Sequence, residues 1–298
     1  GWTQLGRVEY ALTGGKINTD FIDNSAGVDT SDHEVNIKIL LASEIKAGRL
    51  SEAERDELLA EMTPQVASLV LAHNQSQNRA LAAAVAEATE MAAAHEDLMN
   101  TLTAEGYLDR DLEGLPSSDE LAERVAGGKG LTNPELASLL AWTKISIQDA
   151  IFDTDLPDDP YLAERLDSYF PPLLRDRFAD RYSDHQLARE IITTVAVNRF
   201  VDSQGITAAH RLRAETGASV DDVIRAQLAA RNLFDAGWLE VTTSRSELPE
   251  QIKTTLRSGI QRLIERATRW LLHEWRGPID IEQIAADYKE PVRQVLRE

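Results

Sequence analysis

Only one stretch of this 298-residue chain alternates as a β-strand must. Along residues 16–23, Ile17, Thr19 and Phe21 alternate with Asn18, Asp20 and Ile22, a period of two. A lone strand is not stable, so this one is expected to add to a sheet supplied by residues outside the sequence. Beyond residue 48 everything reads as helix and loop. The chain is therefore expected to be mainly α, with a short strand-bearing segment at its amino-terminal end.

The helical reading rests on local signals. Thr3 can cap a short helix carrying Leu5, Val8 and Leu12, and Gly14-Gly15 is a natural stop. Ser31 with Glu34, and Ser51 with Glu54, have the spacing of a capping box, in which each residue satisfies an orphan amide of the other's backbone. The first pair predicts a helix through Ile37, Leu41 and Ile45 to Gly48. Thr63-Pro64 predicts a helix start, since proline is tolerated in a first turn. An alanine-rich helix is expected from about residue 80 to 94, with breaks at residues 114–118 and 127–130. Leu156-Pro157-Asp158-Asp159-Pro160 reads as a turn, and Phe170-Pro171-Pro172 separates two helices. Ser219 and Asp222 start a helix expected to end near Gly237. Ile252, Leu256, Ile260, Leu263, Ile264, Ala267 and Leu271 form one amphipathic stripe, stopped by Gly277-Pro278. A further helix occupies residues 281–298.

Composition narrows the partners. With 31 basic and 50 acidic residues the net charge is -19, which repels a phosphate backbone and an anionic membrane alike, so neither nucleic acid nor membrane is expected. No apolar run reaches the roughly 18 residues that span a bilayer. There is no cysteine, which excludes disulfides, thiolate-bound zinc and a cysteine nucleophile and fits the cytoplasm. The chain opens on Gly1 rather than Met, as a fragment or a processed chain would.

Unusual residue types concentrate between Asn18 and Glu34. A strand running into a Gly-containing loop and a capped helix offers loop backbone and unpaired N–H groups to an anion. The same residues also suit an ordinary turn and cap. Other motifs fall away. In Gly127-Gly128-Lys129-Gly130 a glycine stands where a phosphate loop needs Ser or Thr. Asp153, Asp155, Asp158 and Asp159 are interrupted by Pro157 and lack the glycine of a calcium loop. The histidines, His33, His73, His95, His185, His210 and His273, are scattered, no two at zinc-site spacing, so no metal is expected. Arg175, Arg177 and Arg181 alternate with Asp176 and Asp180 as on a salt-bridged helix face.

The run Lys16-Ile17-Asn18-Thr19-Asp20-Phe21-Ile22-Asp23-Asn24-Ser25-Ala26-Gly27-Val28-Asp29-Thr30-Ser31-Asp32-His33-Glu34-Val35-Asn36-Ile37-Lys38-Ile39 resembles the signature of the large-subunit NAD-specific glutamate dehydrogenases. The likeness continues through Gly130-Leu131-Thr132-Asn133-Pro134-Glu135-Leu136, Leu156-Pro157-Asp158-Asp159-Pro160, Tyr169-Phe170-Pro171 and Arg189-Glu190-Ile191-Ile192. The resemblance implies that residues 1–48 end a catalytic, Rossmann-like dinucleotide-binding domain and that residues 49–298 form a helical carboxyl-terminal domain. Smaller glutamate dehydrogenases have a related pattern, onto which Asn24, Ala26, Gly27, Val28, Ser31 and Glu34 fall. By that resemblance Asn24 and Gly27 contact NAD, and Ser31 and Val28 contact glutamate. Ser25 and Ala26 depart from the usual Ala-Gly, and Asp29, Asp32 and His33 occupy variable positions. Two carboxylates there would oppose an anionic substrate unless they point away.

The family oxidises L-glutamate to 2-oxoglutarate and ammonia, using a lysine and an aspartate for proton transfer. Neither motif is recognisable here, and no G-x-G-x-x-G turn occurs. The segment is expected to supply one wall of the site, to be inactive alone, and to work with the rest of the catalytic domain in a homo-oligomer. The competing reading is a non-catalytic helical interaction or oligomerisation module, with residues 1–48 as a docking strand and helix.

Overall fold

The computed structural model describes residues 1–297. In chain order its helices are α1 (Gln4–Leu12), α2 (Asp20–Asp23), α3 (Ser25–Lys46), α4 (Glu52–Ala86), α5 (Ala92–Ala104), α6 (Arg110–Glu113), α7 (Ser118–Ala126) and α8 (Asn133–Phe152). Then come α9 (Pro160–Ala163), α10 (Pro172–Phe178), α11 (Ala188–Gln204), α12 (Ala208–Thr216), α13 (Val220–Leu233), α14 (Ala236–Arg245), α15 (Glu250–Glu274) and α16 (Ile281–Arg297). The mainly α expectation holds. The chain forms two compact units, residues 1–202 and 203–298. No helix among the described residues is long and apolar enough to cross a membrane.

The strand expected at residues 16–23 is not formed, and no strand occurs among the described residues. The reason is where its backbone groups go. The Ile17 carbonyl accepts from Asn133 Nδ2 at 2.9 Å, the Asn18 carbonyl from Arg7 at 2.7 Å and the Ile22 carbonyl from Asn74 Nδ2 at 3.1 Å. Side chains from α1, α4 and α8 thus take the acceptors that a neighbouring strand would need. Residues 20–23 close into the single turn of α2.

In the first unit, α3 packs on α4, and α4 and α1 pack on α8. Ile37, Leu40 and Leu41 of α3 meet a core that includes Leu58, Met62 and Leu81 of α4 and Leu136, Leu139 and Leu140 of α8. Burial of such side chains is the main favourable term, about 1.5–3 kcal/mol each. The capping box at Ser51 and Glu54 forms as expected, with the Ser51 amide donating to Glu54 at 2.8 Å and the Glu54 amide donating to Ser51 Oγ at 3.2 Å. Thr63-Pro64 starts no helix. Pro64 sits inside α4 on its exposed side, where water can solvate the carbonyl that proline leaves without a donor. The alanine-rich stretch is divided between α4 and α5. Gly130 lies against that break so closely that a Cβ there would stand 2.3 Å from the Ala88 carbonyl, so the 127–130 loop requires glycine at this point.

In the second unit, α13 is the central helix and contacts α12, α14, α15 and α16. Val223, Ile224, Ala226, Ala229 and Ala230 are fully buried; a helix buried nearly all round is enclosed by neighbours, and its alanines let them approach. Ser219 Oγ caps α13 by accepting from the Asp222 amide at 3.3 Å. The helix ends earlier than Gly237, at Leu233, because Asp235 adopts φ 47°. That left-handed turn is held by Lys289 at 2.9 Å and Arg293 at 3.0 Å on the Asp235 carboxylate.

Candidate functional site

The expected box at Ser31 and Glu34 does not exist. Helix α3 begins six residues earlier, at Ser25, so Ser31 lies in its second turn and Glu34 pairs with Lys38 along the helix surface. An anion site at a helix start beside Ser31 is therefore ruled out by geometry. What replaces it is a stripe. Asn24, Gly27, Val28 and Ser31 stand at i, i+3, i+4 and i+7, the spacing of one helix face, and all four are exposed. Val28 is 78% exposed, and Phe21 and Val35 extend the apolar surface at either end. Nothing lies within 4 Å of the position a Gly27 Cβ would take, so a flat group could approach the backbone there. Asn24 Nδ2 donates to Asp20 at 3.0 Å, which holds the side chain and leaves its amide oxygen as the available acceptor.

The opposite face of α3 carries His33, Asn36, Ile37, Leu40, Leu41 and Glu44, all buried. The two carboxylates at variable positions turn away from the exposed stripe. Asp32 accepts from the Tyr169 hydroxyl at 2.6 Å, and Asn36 Nδ2 donates to the same hydroxyl at 2.7 Å. Burial, together with the Asp32 carboxylate, pushes the Tyr169 phenol far above its ordinary range, so it remains a donor. His185 completes this network. Its Nδ1 accepts from the Leu187 amide at 3.0 Å, which puts the proton on Nε2, and that nitrogen donates to the Asn36 carbonyl at 2.9 Å.

Asp29 stands between two imidazoles. His73 Nδ1 from α4 is 2.9 Å from Asp29 Oδ2, and His33 Nε2 is 3.8 Å from Asp29 Oδ1. The two rings stack at 5.5 Å, and Tyr169 covers the other side of His33 at 4.6 Å. Burial lowers the pKa of His33 against the opposing pull of Asp29. Histidine spacing along the sequence does not reveal this group, because His33 and His73 stand on different helices. The legible signal was Asp29 with His33, four residues apart on one helix.

Beneath the stripe, the chain from Asn18 to Ser25 is fixed to the core. Asn74 Nδ2 donates to Ser25 Oγ at 2.7 Å, and Asn18 Nδ2 donates to Asn78 at 3.1 Å. Arg7 binds Asp20 at 3.1 Å and Asp23 at 3.2 Å. The motifs set aside have structural partners: Asp158 binds Arg189 at 2.7 Å, Asp159 accepts from the Tyr161 amide at 2.9 Å, and Arg181 pairs with Asp180 at 3.4 Å.

Comparison with known proteins adds to this geometry. The family model described as bacterial NAD-glutamate dehydrogenase, catalytic domain, matches residues 1–84, and that described as glutamate dehydrogenase, C-terminal, matches residues 128–298. The NAD-specific glutamate dehydrogenase of Mycobacterium tuberculosis is 44% identical over 281 residues, covering 94% of this chain and 17% of that protein. Its counterpart from Pseudomonas aeruginosa is 43% identical over 290 residues, 97% of this chain and 18% of the relative. That of Halomonas elongata is 38% identical over 300 residues, all of this chain and 18% of the relative. The chain thus spans less than a fifth of the length of these relatives.

Proposed function

Because this chain belongs to the NAD-specific glutamate dehydrogenase family, we propose that its exposed α3 stripe is one wall of the site at which the parent enzyme oxidises L-glutamate to 2-oxoglutarate and ammonia. The observation that carries this reading is the segregation of Asn24, Gly27, Val28 and Ser31 onto a single open helix face, while Asp29 and Asp32, the carboxylates at the variable positions, face elsewhere. Ser31 supplies a hydroxyl donor to the side-chain carboxylate of glutamate, and Val28 lines the aliphatic part of the pocket. Asn24 and Gly27 suit the nicotinamide end of NAD, one through its amide oxygen and the other through open backbone. When bound, that cofactor supplies the hydride acceptor. The proton-transferring residues, the phosphate-binding turn and the other wall come from the rest of the catalytic domain, so the 298-residue chain alone is inactive.

In this reading residues 1–48 close the dinucleotide-binding domain in helical form, and residues 49–298 are a helical carboxyl-terminal domain that carries α3 on α4. The parent is a cytoplasmic homo-oligomer, a placement supported by the family and by the cysteine-free, acidic composition.

The position of Ser31 sharpens the test. As a second-turn residue it caps nothing, so Ser31→Ala should leave stability unchanged or slightly raised, since alanine is the better helix former by about 0.5 kcal/mol. In the full-length enzyme the same change is expected to raise the glutamate KM about tenfold or more, the loss of one charge-assisted hydrogen bond of about 1.5–3 kcal/mol. Steady-state kinetics check this; an unaltered glutamate KM would favour a helical interaction module instead.

A further inference from the structure

We propose that Asp29, His33 and His73 form a divalent transition-metal site, suited to zinc, that ties the substrate-bearing helix α3 to α4. One oxygen of the carboxylate and one nitrogen of each imidazole lie within 4.8 Å of one another. Donors around a tetrahedral zinc, bonded at 2.0–2.2 Å, stand about 3.4 Å apart, so closure onto an ion needs shifts of about an ångström in side chains alone. Two imidazoles and one carboxylate are a donor set that zinc accepts, with a fourth position left to water.

The second, independent observation is His33. Its side chain is completely buried and neither ring nitrogen has a hydrogen-bond partner among the described residues. An imidazole left so is costly, because both its donor and its acceptor have given up water without replacement. Its Nε2 faces the Asp29 carboxylate, and Asp29 in turn reaches His73. An ion among the three converts that unpartnered nitrogen into a ligand. The same bond joins residue 29, one position beyond Val28, to residue 73 on α4, and so fixes the azimuth of the stripe that Val28 and Ser31 occupy. His33 Nδ1 would remain without the outer-shell acceptor that ligating histidines usually have, a lack that weakens metal affinity by about 10–100-fold. Micromolar rather than tighter binding is expected.

The test is direct titration of the metal-free 298-residue chain with Co(II), followed by its visible absorption, and with Zn(II), followed by calorimetry. One equivalent is expected, with the absorption intensity of a four-coordinate ion. His73 is half-exposed, so His73→Ala and His73→Gln should fold normally by circular dichroism while losing more than about 100-fold in affinity, beyond the usual outer-shell effect. Asp29→Asn should weaken binding as well. Zinc should raise the unfolding midpoint of the unaltered chain and leave that of His73→Ala where it was. Absence of stoichiometric binding, or binding that survives both His73 variants, would overturn the proposal.

Discussion

The two faces presented by α3 and its leading residue Asn24 behave as different materials. On the inner face, Ile37, Leu40 and Leu41 are in the core and Asn36 and His33 are enclosed by aromatic rings and hydrogen bonds. On the outer face, Asn24, Gly27, Val28 and Ser31 touch little of their own chain. Residues that stabilise a fold are packed, whereas residues kept for a ligand remain open until the ligand arrives. In the reading proposed above the outer stripe is the functional half of the helix, which predicts that substitutions on the two faces will have opposite signatures.

The largest effect on stability is expected from the inner face. Leu41 is 0% exposed, and Leu41→Ala should cost about 2–5 kcal/mol in denaturant unfolding, through lost burial and the cavity left behind. A loss below about 1 kcal/mol would mean that the inner face is less tightly packed than described. A somewhat smaller effect tests how strictly this unit excludes water. His95 on α5 is buried, and burial lowers its pKa from 6.5 to about 4. The folded chain then binds fewer protons than the unfolded one between those values, so stability falls as pH drops below 6.5 and the loss levels off below 4. By pH 5 the cost is about 2 kcal/mol. His95→Leu, which does not titrate, should lose less stability than the unaltered chain between pH 7 and pH 5; equal losses would show that His95 reaches solvent.

The inner face was legible in the sequence and the outer one only through resemblance. Capping boxes and apolar stripes are local, so the helix starts at Ser51 with Glu54 and at Ser219 with Asp222 could be read from spacing alone, whereas the ends of those helices could not. Residues 16–23 could not. Their alternation is real, but Asn74, Asn78, Asn133 and Arg7 hold the segment from distant positions, and a side chain that caps a carbonyl from another helix leaves no periodic trace. Losing the strand also moved the start of α3 back to Ser25, which converted Ser31 from a cap into a surface residue and placed it in line with Asn24, Gly27 and Val28. The pairing of His33 with His73 belongs to the same class of tertiary information, since forty residues separate them and only the packing of α3 on α4 brings them together. Pro64 misled for the opposite reason: its local signal was strong, but a solvent-facing position allowed the helix to continue through it.

The central claim, that the outer stripe serves the substrate and contributes little to the fold, is tested most directly by Val28→Trp. Its unfolding free energy in the 298-residue chain and its glutamate kcat/KM in the full-length enzyme would be measured side by side. At 78% exposure the larger side chain has room, so stability should change by no more than about 0.5 kcal/mol, while kcat/KM should collapse because the indole fills the pocket. A variant that unfolds more easily yet oxidises glutamate at the unaltered rate would contradict the account.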